Sequence, residues 1–468
     1  MTYVFYDTET TGTNTAFDQI LQFGAIRTDE AFRELERFEI RCRILPHVVP
    51  SLGAMRVTGV TAEQLDDPAL PSHYQMVRQI RNKLLEWSPA VFIGHNTLGF
   101  DEHLLRQALY KTLSEPYLTN SHGNGRTDSL RLVQATALVE PGALSIPYGD
   151  NGRPSFKLDR LAPANGFSHD NAHDAMADVE ATIHMCRLLA ERTPNLWQQG
   201  MQLSRKSAVS DFVASHGVFA MTDFHFGRPY SWYVAPIGPN PENSSELFVF
   251  DLTNDPQDLL QLTDMEMKAA IERRPKPVRS LRMNAAPVLW AADEAPPQLR
   301  ETSPNPAELR ARAKQLERDD GARKRLVDAA LAAREPFQPS VHLEEQIYDG
   351  FASRADSLTM QRFHQVDWPD RLTVLQDLAD PRYRGLGQRL IYSEAPEVLP
   401  EDMRIRFDEA VARRLLDNEE AVPWLTLSKA IVEGQDLLAS ATAADAALLE
   451  GHLARLNRQV EWAGKLLS

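Results

Sequence analysis

The chain has 468 residues, 43% of them hydrophobic and 25% charged, and a formal net charge of −15. That length exceeds one ordinary core, so roughly two or three domains are expected. The negative charge argues against extended, non-specific coating of duplex DNA and leaves room for a local basic groove. Only Cys42 and Cys186 are available for thiol chemistry. Neither sits in a C-x-x-C pattern, so no zinc site or disulfide framework is expected, and both read as reduced thiols of a cytoplasmic compartment. The N-terminus enters a strand without a basic n-region and apolar h-region, so no secretory signal is expected. No apolar run approaches transmembrane length.

Tyr3 to Thr11 reads as the first strand, rich in aromatic and β-branched residues and followed by Gly12. Strand side chains alternate, so Tyr3, Phe5, Asp7 and Glu9 share one face. Asp7 and Glu9 then point the same way at the C-terminal end of that strand, where open α/β sheets place their chemistry. Two adjacent carboxylates repel unless a cation lies between them, and a hard divalent ion such as magnesium suits carboxylate oxygen. Taken alone, Asp-x-Glu favours a plainer reading, a solvated strand end with two scattered acids.

Phe17–Ile26 and Leu35–Ile44 read as further strands of a meander, turning at Asp29–Glu30. Thr61 followed by Gln64 is a capping-box signal. Val77–Trp87 has helical periodicity, Ala90–Gly94 is a short buried strand, and a helix follows from Phe100 through Leu109. Asp101 opens that helix. The helix dipole alone favours an acid there, but strand-end geometry also carries it towards Asp7 and Glu9. Thr127–Val133 opens another helix with a capping residue. Pro141–Pro154 is a loop, and a helix resumes over Ser155–Leu161. The segment from His169 through Leu188 is a strong amphipathic helix with caps at its start. It carries His173 at its opening and Asp178 about one and a half turns later. Asp in mid-helix has poor propensity and needs another reason to be there.

Beyond residue 195, Val209–Ala214 is helical, and Phe219–Phe226, Ser231–Ala235 and Leu247–Leu252 read as strands. Pro236–Ser245 reads as a turn-rich connection. Pro304–Ala333 looks like an exposed helix pair, and 342–468 almost wholly helical. Arg273 to Arg282 holds five basic residues and no acid. Two readings stand for it: a phosphate-tracking patch and a solvated turn. Phe224, Phe226, Tyr230 and Trp232 interleave with His225 and Arg228. Aromatics of this kind stack on single-stranded bases, but strand spacing assigns most of them to a barrel core.

Asp7-Thr-Glu9, Asn96-x-x-x-Phe-Asp101 and His173-x-x-x-x-Asp178 resemble, in order and spacing, the motifs of the DEDDh 3′→5′ exonuclease superfamily. Pro154-Ser-Phe-Lys-Leu, Ala164-Asn-Gly, Asn171 to Asp178, Trp232-Tyr-Val-Ala-Pro236, Glu335-Pro-Phe-Gln-Pro339 and Ile347-Tyr-Asp-Gly-Phe351 are similar to the bacterial exodeoxyribonuclease I family. The resemblance covers nearly the whole chain. It implies an α/β ribonuclease-H-like (DEDDh exonuclease) domain at 1–195, an SH3-like β domain at 196–341 and an all-α C-terminal domain at 342–468.

The implied activity is processive 3′→5′ degradation of single-stranded DNA to nucleoside 5′-monophosphates by two-metal-ion hydrolysis, in DNA repair and recombination. Asp7, Glu9, Asp101 and Asp178 would hold two Mg2+ ions, or Mn2+ in their place. His173 would be the general base, a role imidazoles commonly fill. Its His-x-x-x-x-Asp setting belongs to the histidine branch and not the tyrosine branch of the superfamily. Glu9 and Lys157 would contact the substrate. Lys157 keeps the charge of the family's usual Arg without its bidentate fork, and a snorkelling helix lysine is its other reading. His169, His184 and Asp174 are read as bystanders. The implied partners are single-stranded DNA and the acidic C-terminal tail of single-strand-binding protein, with the enzyme a monomer away from membranes. A DEDDh exoribonuclease and an inert scaffold for single-strand-binding protein are the alternatives. The extra domains count against the first and the intact acid-and-His set against the second. Every catalytic candidate precedes residue 180, so the rest of the chain is expected to supply grip and not chemistry.

Overall fold

A computed structural model describes residues 1–150, 152–168, 173–418 and 421–468. Strands β1 (Tyr3–Thr10), β2 (Ile20–Thr28) and β3 (Glu34–Arg41) form the expected antiparallel meander. Phe17 lies in the turn before β2 and not in the strand. Helices α1 (Leu52–Thr58), α2 (Ala62–Leu65) and α3 (His73–Glu86) follow, with a capping box at Thr61 and Gln64 as expected. Next come β4 (Val91–Gly94), α4 (Asp101–Lys111), β5 (Gly125–Asp128), α5 (Ser129–Val139), α6 (Leu158–Ala164), α7 (Ala175–Arg192) and α8 (Pro194–Gln202). The strands make a five-stranded sheet in the order β3-β2-β1-β4-β5, with β4 parallel to both β1 and β5.

Alternation along β1 sorts the two cores. Tyr3 and Phe5 pack under α7 with Val179, Ile183 and Cys186. Val4 and Tyr6 face the other way, onto Met76, Val77 and Ile80 of α3 and Leu104 and Leu105 of α4. Cys42 and Cys186 are both buried free thiols.

The second unit begins with α9 (Lys206–Ser215), then β6 (Phe219–His225), β7 (Arg228–Asn240) and β8 (Asn243–Asp251). Helices α10 (Pro256–Leu260) and α11 (Asp264–Glu272) precede β9 (Val278–Arg282) and β10 (Val288–Ala291), and the sheet order is β10-β6-β7-β8-β9. The expected turn-rich connection at Pro236–Ser245 is instead mostly strand. β7 runs on to Asn240, and its pairing with β8 is shifted between Pro236 and Gly238 and again after Pro239. Pro236 lies past the last β6 pair, at Val234, so its missing N–H leaves no ladder bond unmade. Helices α12 (Pro297–Thr302), α13 (Pro306–Glu317) and α14 (Asp320–Ala332) pack on this sheet, the last two being the expected helix pair.

The third unit is helical, as expected: α15 (Arg354–Gln365), α16 (Trp368–Leu375), α17 (Pro381–Glu394), α18 (Glu401–Leu416), α19 (Leu427–Leu438) and α20 (Ala443–Leu467). It shares two cores with the first unit. Tyr74, Tyr110 and Leu113 lie among Phe363, Leu375 and Tyr383, and Val49 and Leu52 among Leu415, Leu427 and Leu449. Helix α8 joins the first two units, with Leu196 in the second core and Trp197 and Met201 in the first. No described helix is long and apolar enough to cross a membrane.

Candidate active site

Asp7 and Glu9 leave the same face of β1 at its C-terminal end. Asp7 pairs in register with Gly24 on β2. A Cβ on Gly24 would stand 3.0 Å from the backbone of both Ala175 and Met176. The bare glycine therefore lets the N-terminus of α7 lie against the sheet beside Asp7. Asp174 caps that helix, accepting from the N–H groups of Met176 and Ala177. Asp178 follows in the first turn, not in mid-helix, and so reaches the strand end. Carboxylate oxygens of Asp7, Glu9 and Asp178 lie within 4.8 Å of one another.

Asp101 comes from the opposite side of the sheet, as the first residue of α4. The Thr8 hydroxyl donates to its Oδ1 at 2.5 Å. The loop before it is braced by Asp128, which accepts from the N–H of Asn96 at 2.8 Å and of Leu98 at 3.0 Å. The neighbouring Glu102 turns inward, where it accepts from Arg126, Arg106, Thr119 and Tyr6.

Without a cation this cluster is strongly proton-loving. Burial, and then the charges of Asp101, Asp178 and Glu9, raise the Asp7 carboxyl well above its usual value. Burial, Asp178 and Asp101 push Glu9 up to about 9, against the pull of Arg41. Burial takes Asp101 to about 7, opposed by the Thr8 bond. Repelling, desolvated carboxylates of this kind are stabilised by protons or by hard cations. The donor set, all carboxylate oxygen, fits a divalent metal. Glu102 is the contrast: burial alone would raise it, but Arg126 and Arg106 hold it below the carboxylate range.

Four of the expected acids are therefore together or adjoining. His173 is not brought into hydrogen-bond contact with them. It is exposed, directly before the Asp174 cap, with φ of 69°. Lys157 is exposed at the N-cap of α6. Its loop is tied to the end of β4 by His95, whose Nε2 meets the Phe156 carbonyl at 2.8 Å and whose Nδ1 meets Ser129 Oγ at 2.9 Å. The snorkelling-helix reading of Lys157 does not hold, since it precedes the helix.

His184 bonds the Asn165 carbonyl at 3.0 Å, away from the cluster. His169 lies outside the described residues. Asp174 is no idle neighbour: besides capping α7 it accepts from Arg41 at 2.7 Å and from Gln22 at 3.0 Å. Gln22 pairs in register with Glu9. Arg41 and Gln22 were missed from the sequence, where nothing but their places on neighbouring strands marks them.

Two clefts adjoin the site. One, of about 710 Å³, runs from Thr8, Glu9, Thr10 and Phe100 to Arg414, Trp424 and Glu433 of the helical unit. The other, of about 620 Å³, lies between Asn96, Gly99 and Arg131 on one side and Phe224, Phe226 and Arg282 on the other. The basic run is half turn and half strand. Arg273, Arg274 and Lys276 are exposed in the turn, while Arg279 on β9 lies 3.6 Å over the Trp232 ring and bonds Asp251. The aromatics divide as well. Phe224 packs on the core and Trp232 is half-buried, but Phe226 and Tyr230 are exposed and not core.

A family model described as exonuclease matches residues 4–186. Models of the exonuclease I SH3-like domain and the exonuclease I C-terminal domain match 206–329 and 342–452. Exodeoxyribonuclease I of Escherichia coli is 31% identical over 385 residues, 77% of this chain and 78% of that protein. A crystal structure of E. coli exonuclease I with a dA16 oligonucleotide superposes with a TM-score of 0.84 at 27% identity, covering 98% of this chain and 100% of that one. A structure described as SSB/exonuclease I with an inhibitor gives 0.83 at 26% identity, covering 98% and 99%.

Proposed function

The chain belongs to the exodeoxyribonuclease I family and is an exodeoxyribonuclease, and on that premise we propose that it removes nucleotides processively from the 3′ ends of single-stranded DNA. The observation that carries the reading is the convergence of Asp7, Glu9 and Asp178 at the end of β1, with Asp101 held beside them by Thr8. In this reading Asp7, Glu9 and Asp178 would hold one Mg2+ ion, on the nucleophile side, and Asp7 and Asp101 would help to hold a second. Two such ions, when bound, stabilise both the attacking and the leaving oxygen of an in-line phosphodiester displacement.

The protein's own groups do the rest. His173 takes the proton of the attacking water. Its exposed position beside the Asp174 cap suits a base that closes over the strand end when substrate arrives, and hydrogen bonds of this kind often tighten only then. Its positive φ marks a backbone held in a sparsely populated region, as at other functional loops. Lys157 holds a substrate phosphate as a point charge, and Glu9 also contacts the terminal nucleotide. The products are nucleoside 5′-monophosphates.

We further propose the division 1–195, 196–341 and 342–468, with α8 as the bridge between the first two. A monomer acting in the cytoplasm, in DNA repair, and binding the acidic tail of single-strand-binding protein completes the reading. The test uses 5′-labelled DNA and RNA oligonucleotides with Mg2+ or EDTA. Shortening of single-stranded DNA with Mg2+ alone is expected. Equal or faster loss of RNA would turn the assignment to an exoribonuclease, and no cleavage of either would leave a binding scaffold.

A further inference from the structure

The β6–β7 hairpin ends in a two-residue turn, Phe226-Gly227, closed by the pair His225 and Arg228. Both turn residues have positive φ, 53° for Phe226 and 73° for Gly227. That is the backbone of a type I′ turn, which normally carries Asn, Asp or Gly at its first position. Phenylalanine there is a steric exception. Among the described residues nothing packs on it to compensate, and the side chain is fully exposed. Strained, solvent-facing residues of this sort are kept where function needs them.

The surroundings say what it faces. A side chain at Gly227 would reach the Phe156 ring at 3.7 Å, so the tip hangs over the loop that carries Lys157. The same tip walls the cleft that runs to Asn96 and Gly99, just before Asp101, with Arg131 and Arg282 on its sides. Back along β7, on the face that Arg228 shares, Tyr230 is 44% exposed and stacks with Trp232 at 6.4 Å between centroids. Arg279 lies over that Trp232. Aromatic faces interleaved with guanidinium groups beside a cleft are what a flexible single strand binds to, since every base offers a π-face.

We propose that Phe226 is a positioning residue that stacks on a base of the single strand upstream of the nucleotide being removed, with Tyr230 next along the path. This rests on the reading of the protein as a single-stranded DNA exonuclease. It assigns to the β6–β7 hairpin a direct part in holding the substrate, by base stacking and not by charge.

Binding of a labelled single-stranded oligonucleotide is measured by anisotropy in EDTA, so that nothing is cleaved. Phe226→Ala should weaken binding by about 5- to 150-fold, the loss expected for one stacked base. Phe226→Gly, which relieves the turn and keeps the hairpin foldable, should lose as much. Phe226→Trp should restore binding, and its added indole emission should change when the oligonucleotide is titrated in. Single abasic sites are then walked along the oligonucleotide. At one position the wild type should lose affinity while Phe226→Ala loses nothing further. Wild-type affinity in both Phe226→Ala and Phe226→Gly, or additive losses at every abasic position, would overturn the assignment of Phe226 alone. Failure of the wild type to bind single-stranded DNA would overturn the functional reading and this inference with it.

Discussion

Asp101 and Glu102 adjoin in the sequence, yet one faces the Asp7 and Glu9 carboxylates and the other two arginines. No spacing rule separates them. The family motif picked Asp101, and the structure adds the physical reason: Glu102 is neutralised inside the fold and Asp101 is not. The Asp7–Glu9 pair was legible from strand alternation alone. Arg41 and Gln22 were not, because their roles depend on strand register. The raised carboxyls have a sign that can be checked. Glu9 moves from 4.5 to about 9 and Asp101 from 3.8 to about 7 on folding, so the folded, metal-free protein binds more protons than the unfolded chain across that window. Stability then falls as pH rises from about 4 to about 9. Melting of the metal-free protein should show this decline, and Mg2+ should raise the melting temperature more at pH 8 than at pH 5 because protons compete for the same oxygens. Asp7→Asn should stabilise the metal-free protein and abolish most of the Mg2+ response; an unchanged response would show that the ion binds elsewhere. His173→Ala should slow single-turnover cleavage by about 10²–10⁴-fold, the range for a lost general base, with the Mg2+ melting shift retained. A rate near wild type would remove His173 from the chemistry.

Among the elements, β1 and α7 were the most legible, since a long apolar-aromatic strand and an 18-residue amphipathic helix leave little choice of period. β5 was missed because its four residues, Gly-Arg-Thr-Asp, are buried without an apolar pattern, and Arg126 and Asp128 among them serve polar partners. β9 hid inside a basic run, and Pro236 and Pro239 of β7 read as a turn until the pairing shows them past the reach of β6. The N-terminus of α7 lies close against the sheet because a side chain is missing at Gly24 of β2. Gly24→Val would force branched carbons into the Ala175 and Met176 backbone. A loss of about 1–3 kcal/mol is expected from such overpacking. Calorimetry should record it, together with a weakened Mg2+ response as Asp178 moves off the cluster. Wild-type stability in that variant would show that α7 does not depend on this close approach.

For the whole molecule, patterning alone shows strands in the middle of the chain and helices at its end, but the assignment of the middle unit as SH3-like came only through the resemblance, since composition does not show it. The expectation that the later units merely grip needs amending at one of them. The helical unit completes two cores of the first unit and walls the cleft that begins at Glu9. Its Glu433 accepts from Ser51 Oγ at 2.7 Å and from the Gly53 N–H at 3.1 Å, and its Arg455 holds Asp66 in a two-bonded pair. A chain ending at residue 341 should therefore expose Tyr74, Tyr110, Leu113, Val49 and Leu52 and lose solubility or several degrees of melting temperature, and not simply processivity. Sedimentation and melting of that truncated chain would decide, and a soluble fragment of unchanged stability would show the helical unit to be a detachable clamp.

The most direct test of the central claim is single-turnover digestion of a 5′-labelled single-stranded DNA oligonucleotide, with the released products separated chromatographically. The wild type with Mg2+ should shorten the strand in one-nucleotide steps from its 3′ end and release nucleoside 5′-monophosphates, and folded Asp7→Asn should release none. Shortening from the 5′ end, products other than 5′-monophosphates, or full activity in Asp7→Asn would contradict it.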